Sequence, residues 1–422
     1  MLLCGSLLQE GNNLLKKGLH PLTLVDGYRK SLETATDQIN LDSTKIDDKK
    51  LLLIAETALT GKGTEGALDL FSSIIVKSLI SISEKQPIPR AENIAMFKSN
   101  TGNIHDSRII QGVAFRRRVI MDSLPNKLSD VKVAVISGDI KIRKMTRTAE
   151  IQITSADQLE AFVDAEQDRK NSISQSLVDS GASLVLCGGE IDRDILHNLA
   201  DNNILAVGEL DSSEIENSAS ATGAKIVDSI ADIERKDLGF CGSVLWERNE
   251  ASDMVEDIIR IDGCKKPGLV TIEVGGAGEI ATEEIIRGLH DGLRAVSLAI
   301  EDQEILPGGG AIHSRIANAV RVSSESEPGR ARLAMEAFSR AMETIPGALV
   351  ENSGNDVLDS ILELRAATRN QEHFMGINEN GKLSVIDRAW HPRTVITESL
   401  QLACETTIGM LRIDQVISSR GD

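Results

Sequence analysis

The sequence predicts an α+β multidomain chain: a mostly helical domain split between the two chain ends, with an α/β module inserted between its halves. Three observations carry this. Apolar residues recur at helical spacing through the first 83 positions, the period changes to short apolar runs after Pro87-Ile-Pro89, and helical spacing returns from Glu279 onward. Each helical flank alone is too fragmentary to be a domain, so nesting is the simplest arrangement.

Leu3, Leu7, Leu8, Leu14 and Leu15 mark a first helix that Gly18 stops. Pro21 opens a second, carrying Leu22, Val25, Tyr28, Leu32, Ala35 and Ile39 on one face. Asp42 to Lys50 is polar and reads as an exposed linker. A third helix ends near Thr60, and a fourth, from Thr64 to Ser83, is expected to bury Leu68, Phe71, Ile75, Leu79 and Ile80. Val131, Val133 and Val135 alternate as a strand should, and Ala182–Cys187, Ile204–Val207, Ala224–Val227 and Leu269–Val274 are further strand-like runs between helical stretches. Ser155 with Gln158 forms a capping-box pattern before a helix that presents Leu159, Phe162 and Val163 and then turns polar through Lys170. The glycine turn Pro307-Gly-Gly-Gly-Ala311 interrupts the last helical section, and a final helix is expected to reach about Ile417.

Composition narrows the function. The formal net charge is −18, the pI is about 5.0, and there are only two Trp, one Tyr and seven Phe. Nucleic-acid binding calls for a basic footprint and often aromatic platforms, so DNA and RNA are not expected partners. The five cysteines are scattered without a C-x-x-C pair, which suits a reducing cytosol and excludes a recognisable zinc or redox motif. No apolar run approaches the ~18 residues that span a bilayer, so a cytosolic location without membrane contact is expected.

Four motifs could carry chemistry. Gly276-Ala-Gly278-Glu-Ile-Ala281 follows a strand and opens a helix, matching a dinucleotide fingerprint, but no strand ending in an acid follows about 20 residues on. Lys62 lies in Thr60-Gly-Lys-Gly-Thr64, which is no P-loop. It is either a solvated lysine or a hinged ammonium able to reach a terminal phosphate. Asp291 falls opposite the Leu289, Leu293 and Val296 face of its helix. It is either an ordinary exposed acid or a carboxylate placed to activate a water. Gly308, Gly309 and Gly310 let backbone approach a ligand closely, because no Cβ stands in the way. His313 and His391 are lone histidines without ligand-spaced neighbours, so no metal site is expected from them.

Taken in order, many segments resemble group II chaperonin subunits of the archaeal thermosome type. They include His20-Pro-Leu-Thr-Leu-Val-Asp-Gly-Tyr28, Thr57-Ala-Leu-Thr-Gly-Lys62, Gly181–Cys187, Ala221-Thr-Gly-Ala-Lys-Ile-Val227, Leu306-Pro-Gly-Gly-Gly-Ala311, Glu351-Asn352, Glu363-Leu-Arg365 and Leu411-Arg-Ile-Asp414. The resemblance implies an equatorial domain from residues 1–46 and 305–422, and a hinge-like intermediate domain from 47–117 and 268–304. It also implies an apical domain over 118–267, with a lid protrusion at about 150–175. By resemblance, Asp291 is the catalytic residue, and Gly61, Lys62, Gly308–Gly310 and His391 bind nucleotide. Leu159, Phe162 and Val163 would contact client protein. ATP and Mg2+ are the implied cofactors; non-native polypeptides and a ring of like subunits are the implied partners. Hinging near 115–120 and 265–275 would swing the apical domain.

The chain also departs from the family pattern. Met1 aligns just after the family's Asp-Gly-Thr-Thr-Thr phosphate loop, so that loop, the first equatorial strand and another metal-side aspartate are expected to be missing. His391 stands where the family has an acid before proline. Feeble or no ATPase activity is therefore expected, and a nucleotide-independent module that holds unfolded chains is the alternative to an ATP-driven folding machine.

Overall fold

The computed structural model describes residues 1–83, 88–99, 102–142, 156–249, 256–265, 267–276, 279–369 and 373–413. Two compact units divide the chain: Met1–Ser73 with Gly288–Asp422, and Ile74–Arg287. The split order expected from the sequence is therefore present, and the chain passes between the units within two long helices.

The first unit begins with α1 (Leu2–Lys16), α2 (Pro21–Asp42), the short strand β1 (Thr44–Lys45) and α3 (Asp48–Leu59). Pro21 sits at the first position of α2, behind a His20 side chain that accepts from Leu22 N at 3.2 Å. Asp47 caps α3 through Lys50 N at 2.7 Å. A 3₁₀ turn (Glu65–Ala67) leads into α4 (Leu68–Ser83), whose later residues lie in the second unit.

There, three small strands come first: β2 (Ile94–Lys98), β3 (Arg108–Ile110) and β4 (Val113–Arg116). The α/β core follows as β5 (Lys127–Ile136), α5 (Ala156–Ser180), β6 (Leu184–Cys187), α6 (Arg193–Asp201), β7 (Leu205–Val207), α7 (Ser212–Thr222) and β8 (Ile226–Val227). The long hairpin β9 (Gly239–Asn249) and β10 (Glu256–Asp262) and the strand β11 (Val270–Val274) complete the second unit. In its main sheet the order is β4-β10-β9-β5-β6-β7, with β8 beside β5; β5, β6, β7 and β8 are parallel. Parallel strands are buried on both faces, so their sequences run apolar without alternation, as Leu184–Cys187 does. A second sheet has the order β2-β11-β3.

The chain returns through α8 (Glu279–Asp302). It continues with β12 (Glu304–Pro307), α9 (Ala311–Ser326), α10 (Ala331–Met342), α11 (Thr344–Asn352) and α12 (Val357–Thr368). It ends with the hairpin β13 (Met375–Ile377) and β14 (Leu383–Val385), then β15 (Trp390–Pro392) and α13 (Arg393–Leu411). The first unit's core packs α1, α2, α9, α10 and α13 around Leu7, Leu24, Tyr28, Ile39, Ile316, Phe338 and Cys404. Tyr28 meets Phe338 edge-on at 5.8 Å and donates to Leu7 O at 2.7 Å, so its ring is buried with its hydroxyl satisfied. Gly27 allows α2 and α10 to touch, since a Cβ there would stand 2.4 Å from that of Ala334.

Several sequence expectations need correction. Leu22 is 67% exposed and Ile80 46% exposed. The buried stripe of α2 runs through Leu24, Tyr28, Ser31, Ala35 and Ile39, and that of α4 through Phe71, Ile75, Leu79 and Ile82, so neither residue falls on it. Helix α13 ends at Leu411 with Arg412 as its C-cap, short of the expected Ile417, and Ser155 and Gly278 lie outside the described residues. Strands β9 and β10, the longest antiparallel pair, were not foreseen.

One buried ionic network joins the two sheets of the second unit. Arg260 on β10 grips Glu273 on β11 through Nη2 at 2.7 Å and Nε at 3.1 Å, while Arg108 on β3 reaches the same carboxylate at 2.8 Å. Those guanidinium groups hold the Glu273 carboxyl below the usual carboxylate range despite its burial. Glu273→Gln strands Arg260 without its main counter-charge and is expected to destabilise the unit by about 3 kcal/mol, read from urea denaturation. The double replacement Arg260→Met with Glu273→Leu should recover most of that loss.

Candidate functional site

Lys62 is held on a tight reversal. Gly61 and Gly63 on either side adopt φ of +79° and +68°, a region that L side chains disfavour. The buried Thr64 hydroxyl donates to Leu59 O at 2.8 Å and folds the loop back onto the end of α3. On α8, Leu289, Leu293 and Val296 are fully buried, which turns Asp291 outward. The two arrangements meet: Lys62 Nζ lies 2.6 Å from Asp291 Oδ2, across 229 residues of sequence. Gly288, one turn earlier on α8, faces the same loop at ordinary packing distance. A Cβ there would stand 3.4 Å from that of Lys62 and 3.5 Å from Thr64 Cγ2.

The glycine turn follows β12, which pairs antiparallel with β1 on one edge and β15 on the other. Gly308 N donates to Ala389 O at 2.8 Å, and Gly309 O accepts from Ile377 N at 2.8 Å. Close approach requires glycine at 309 and 310 and crowds position 308. A Cβ on Gly308 would lie 3.1 Å from His391 Nε2, one on Gly309 2.7 Å from Ile377 O, and one on Gly310 2.7 Å from Pro346 Cβ. Gly309 and Gly310 also have φ of +57° and +72°. Gly310 is the N-cap of the 16-residue α9 and offers no side-chain oxygen, so the positive end of that helix opens without a side-chain cap.

A continuous path joins the two halves of the site. Thr57, near the end of α3, accepts from Trp390 N at 3.3 Å; Trp390 precedes His391 on β15, and His391 lies against Gly308. Arg388 reaches Glu56 at 3.4 Å beside the same contact. The Thr57–Trp390 link, 333 residues apart, has no local sequence signal. His313, in the first turn of α9, is not a lone histidine, because it feels His391 electrostatically. Burial and that neighbour push His313 down to about 4, burial lowers His391, and His313 Nδ1 has no hydrogen-bond partner among the described residues. Both imidazoles are therefore neutral near pH 7. Among the described residues no cluster of three or more His, Cys, Asp or Glu side chains could hold a metal.

The expected client-contact residues lie elsewhere, on α5 in the second unit. Phe162 is 48% and Val163 56% exposed, whereas the Leu159 side chain falls outside what is described. No helix among the described residues is long and apolar enough to cross a membrane.

Comparison with known proteins settles the family. The model of the TCP-1/cpn60 chaperonin family matches residues 1–420. This chain is a member of that family. It is 33% identical to the thermosome beta subunit of Archaeoglobus fulgidus over 432 aligned positions, covering 100% of this chain and 78% of that subunit. It is 34% identical to the alpha subunit of the same organism, with the same coverage. Among solved structures, the open-state monomer of a group II chaperonin from Methanococcoides burtonii matches with a TM-score of 0.68 and 26% identity, over 98% of each chain. The chain is thus a chaperone subunit of the group II chaperonin type.

The buried histidine of this chaperonin subunit makes its stability acid-sensitive. An unfolded histidine takes its proton near pH 6.5, whereas folded His313 resists protonation down to about 4. The folded state therefore binds fewer protons between those values, so its stability is complete above about 6.5 and falls as the pH drops toward 4. Between pH 7.5 and 5 the chain should lose about 2 kcal/mol from this group, measured by urea denaturation. His313→Gln should remove that part of the pH dependence.

Proposed function

We propose that the first unit binds ATP and hydrolyses it slowly, as expected with His391 where the family has an acid, and that the subunit works in a double ring that captures and folds non-native proteins in the cytosol. The observation that carries this reading is the 2.6 Å meeting of Lys62 and Asp291 in the same unit as the uncapped glycine entry to α9. Two segments remote in sequence bring an ammonium and a carboxylate together, and a third presents backbone at close quarters. An adenine nucleotide needs those features: close-approach backbone for its base and sugar, a cation for its terminal phosphate, and a carboxylate to orient water.

In this reading Gly308–Gly310 and His391 line the base and ribose side, while Lys62 and Asp291 face the phosphates. Mg2+ typically uses one or two carboxylates, phosphate oxygens and waters, and an exposed single carboxylate such as Asp291 fits that habit. The ion would supply charge neutralisation at the phosphates. Lys62 covers Asp291 in the chain as it stands, so one event frees both: Lys62 swings to the terminal phosphate, and Asp291 becomes available to a water. On loss of the phosphate the ammonium returns. Support for the ring and for polypeptide clients comes from the thermosome relatives and from the exposed Phe162 and Val163 on α5.

The test separates binding from turnover. Asp291→Ala is expected to cut phosphate release at least about 100-fold while leaving ATP affinity, read by fluorescent-nucleotide displacement, within about three-fold. Lys62→Met should weaken ATP more than ADP. Phosphate release unchanged by Asp291→Ala would refute the assignment.

A further inference from the structure

The second unit holds a cleft that the nucleotide reading does not use. It has a volume of about 380 Å³, and its position follows from the sheet. From β5 the chain steps outward to β6 and β7, then crosses back so that β8 pairs with the other edge of β5, at Val135 and Ile136. The connections diverge at the carboxyl ends of β5 and β8, which is where open parallel sheets leave a crevice for a ligand. The cleft lies there, walled by Asp139–Ile142 after β5, by Ser229–Ala231 after β8, and by one face of α5.

Its chemistry is specific. Ile173 on α5 and Ile230 beyond β8 are partly buried and pack on the sheet's core, giving an aliphatic floor. The charges at the mouth are unequal. Lys141 is spent on Asp139 at 3.1 Å and Glu190 at 2.8 Å. Asp139 is likewise committed, since its Oδ1 also accepts from Glu190 N at 3.0 Å. Arg169 on α5 lines the same cleft and has no acidic partner among the described residues. Ser172 donates its hydroxyl to Asp168 O at 2.8 Å, which leaves its oxygen lone pairs available and its proton occupied.

An uncompensated guanidinium over an aliphatic floor selects a ligand with a carboxylate at one end and a branched apolar body at the other. We propose that this cleft binds an aliphatic carboxylate, supplied either by a free short-chain branched acid or by an acidic residue beside an aliphatic one in an extended polypeptide. The guanidinium pairs with the carboxylate, and the apolar body covers Ile173 and Ile230. The inference goes beyond the ATPase reading and stands or falls without it.

The experiment titrates the full chain, without nucleotide, by ligand-observed NMR. The probes are 4-methylpentanoate, the dipeptide acetyl-Ile-Glu-amide and the neutral 4-methylpentanamide. Both carboxylates should bind at least about five-fold more tightly than the amide, with the difference shrinking as salt screens it. Arg169→Gln should lower their affinity by a similar factor, whereas Arg169→Lys should keep part of it. Arg169 is exposed, so these variants should fold, and an unchanged circular-dichroism spectrum and melting temperature in them checks that. A tighter dipeptide assigns the carboxylate to a chain segment, and a tighter free acid assigns it to a small molecule. Equal affinity for acid and amide, or equal affinity in wild type and Arg169→Gln, would overturn the proposal.

Discussion

The pairing of β1 with β12, and of β12 with β15, is the constraint on which the candidate site depends. It ties the chain's first segment to its last after the whole second unit has intervened. Closing a loop of 229 residues, as between Lys62 and Asp291, costs about 5 kcal/mol in chain entropy even in the simplest estimate. A half-exposed ion pair contributes about 0–1 kcal/mol. The Lys62–Asp291 contact therefore cannot close the loop and is a consequence of closure. What closes it is the buried face of α2 against α9 and α10, where Tyr28, Phe338 and their neighbours leave water together.

The glycine turn has a double role. Gly309 and Gly310 are required by packing, because a side chain would strike Ile377 or Pro346, and Gly308 lies close against Ala389. Glycine at 309 and 310 is thus demanded whether or not a nucleotide ever binds. In the proposed nucleotide reading the functional content lies in the uncapped start of α9 and in the His391 ring set against Gly308. The His391 ring is neutral near pH 7, and its burial is mild in cost only because it stays so.

Local patterns made much of the fold legible. Pro21, Gly18 and the apolar spacing of α1 and α2 fixed their ends, and the continuous apolar runs at Leu184–Cys187 and Leu205–Val207 marked buried parallel strands. What stayed hidden is non-local. Strands β9 and β10 are held by a cross-strand register, as at Arg260↔Leu245, that no window of a dozen residues contains. Glu273 reads as a polar interruption in a strand until Arg260 and Arg108 are seen around it. In the site, spacing alone leaves Lys62 and Asp291 readable as ordinary surface charges; the chaperonin resemblance singles them out, and their meeting is visible only in the fold. The His313–His391 pair was missed for the same reason, since 78 residues of helix and hairpin separate the two rings in sequence.

If the proposed ATP reading holds, the modest strength of the Lys62–Asp291 pair suits a switch. A contact worth several kcal/mol would hold the ammonium on the carboxylate against a nucleotide and subtract its own energy from binding. An exposed pair worth about 1 kcal/mol or less yields to the doubly charged terminal phosphate at little cost. The flanking positive-φ glycines let Lys62 move without dragging α3, whose end is pinned by Thr64 and by Thr57 on Trp390. Asp291 cannot follow, being fixed on a helix whose opposite face is fully buried. One partner is mobile and the other rigid, so breaking the pair moves the lysine alone and leaves the carboxylate where a water would need it.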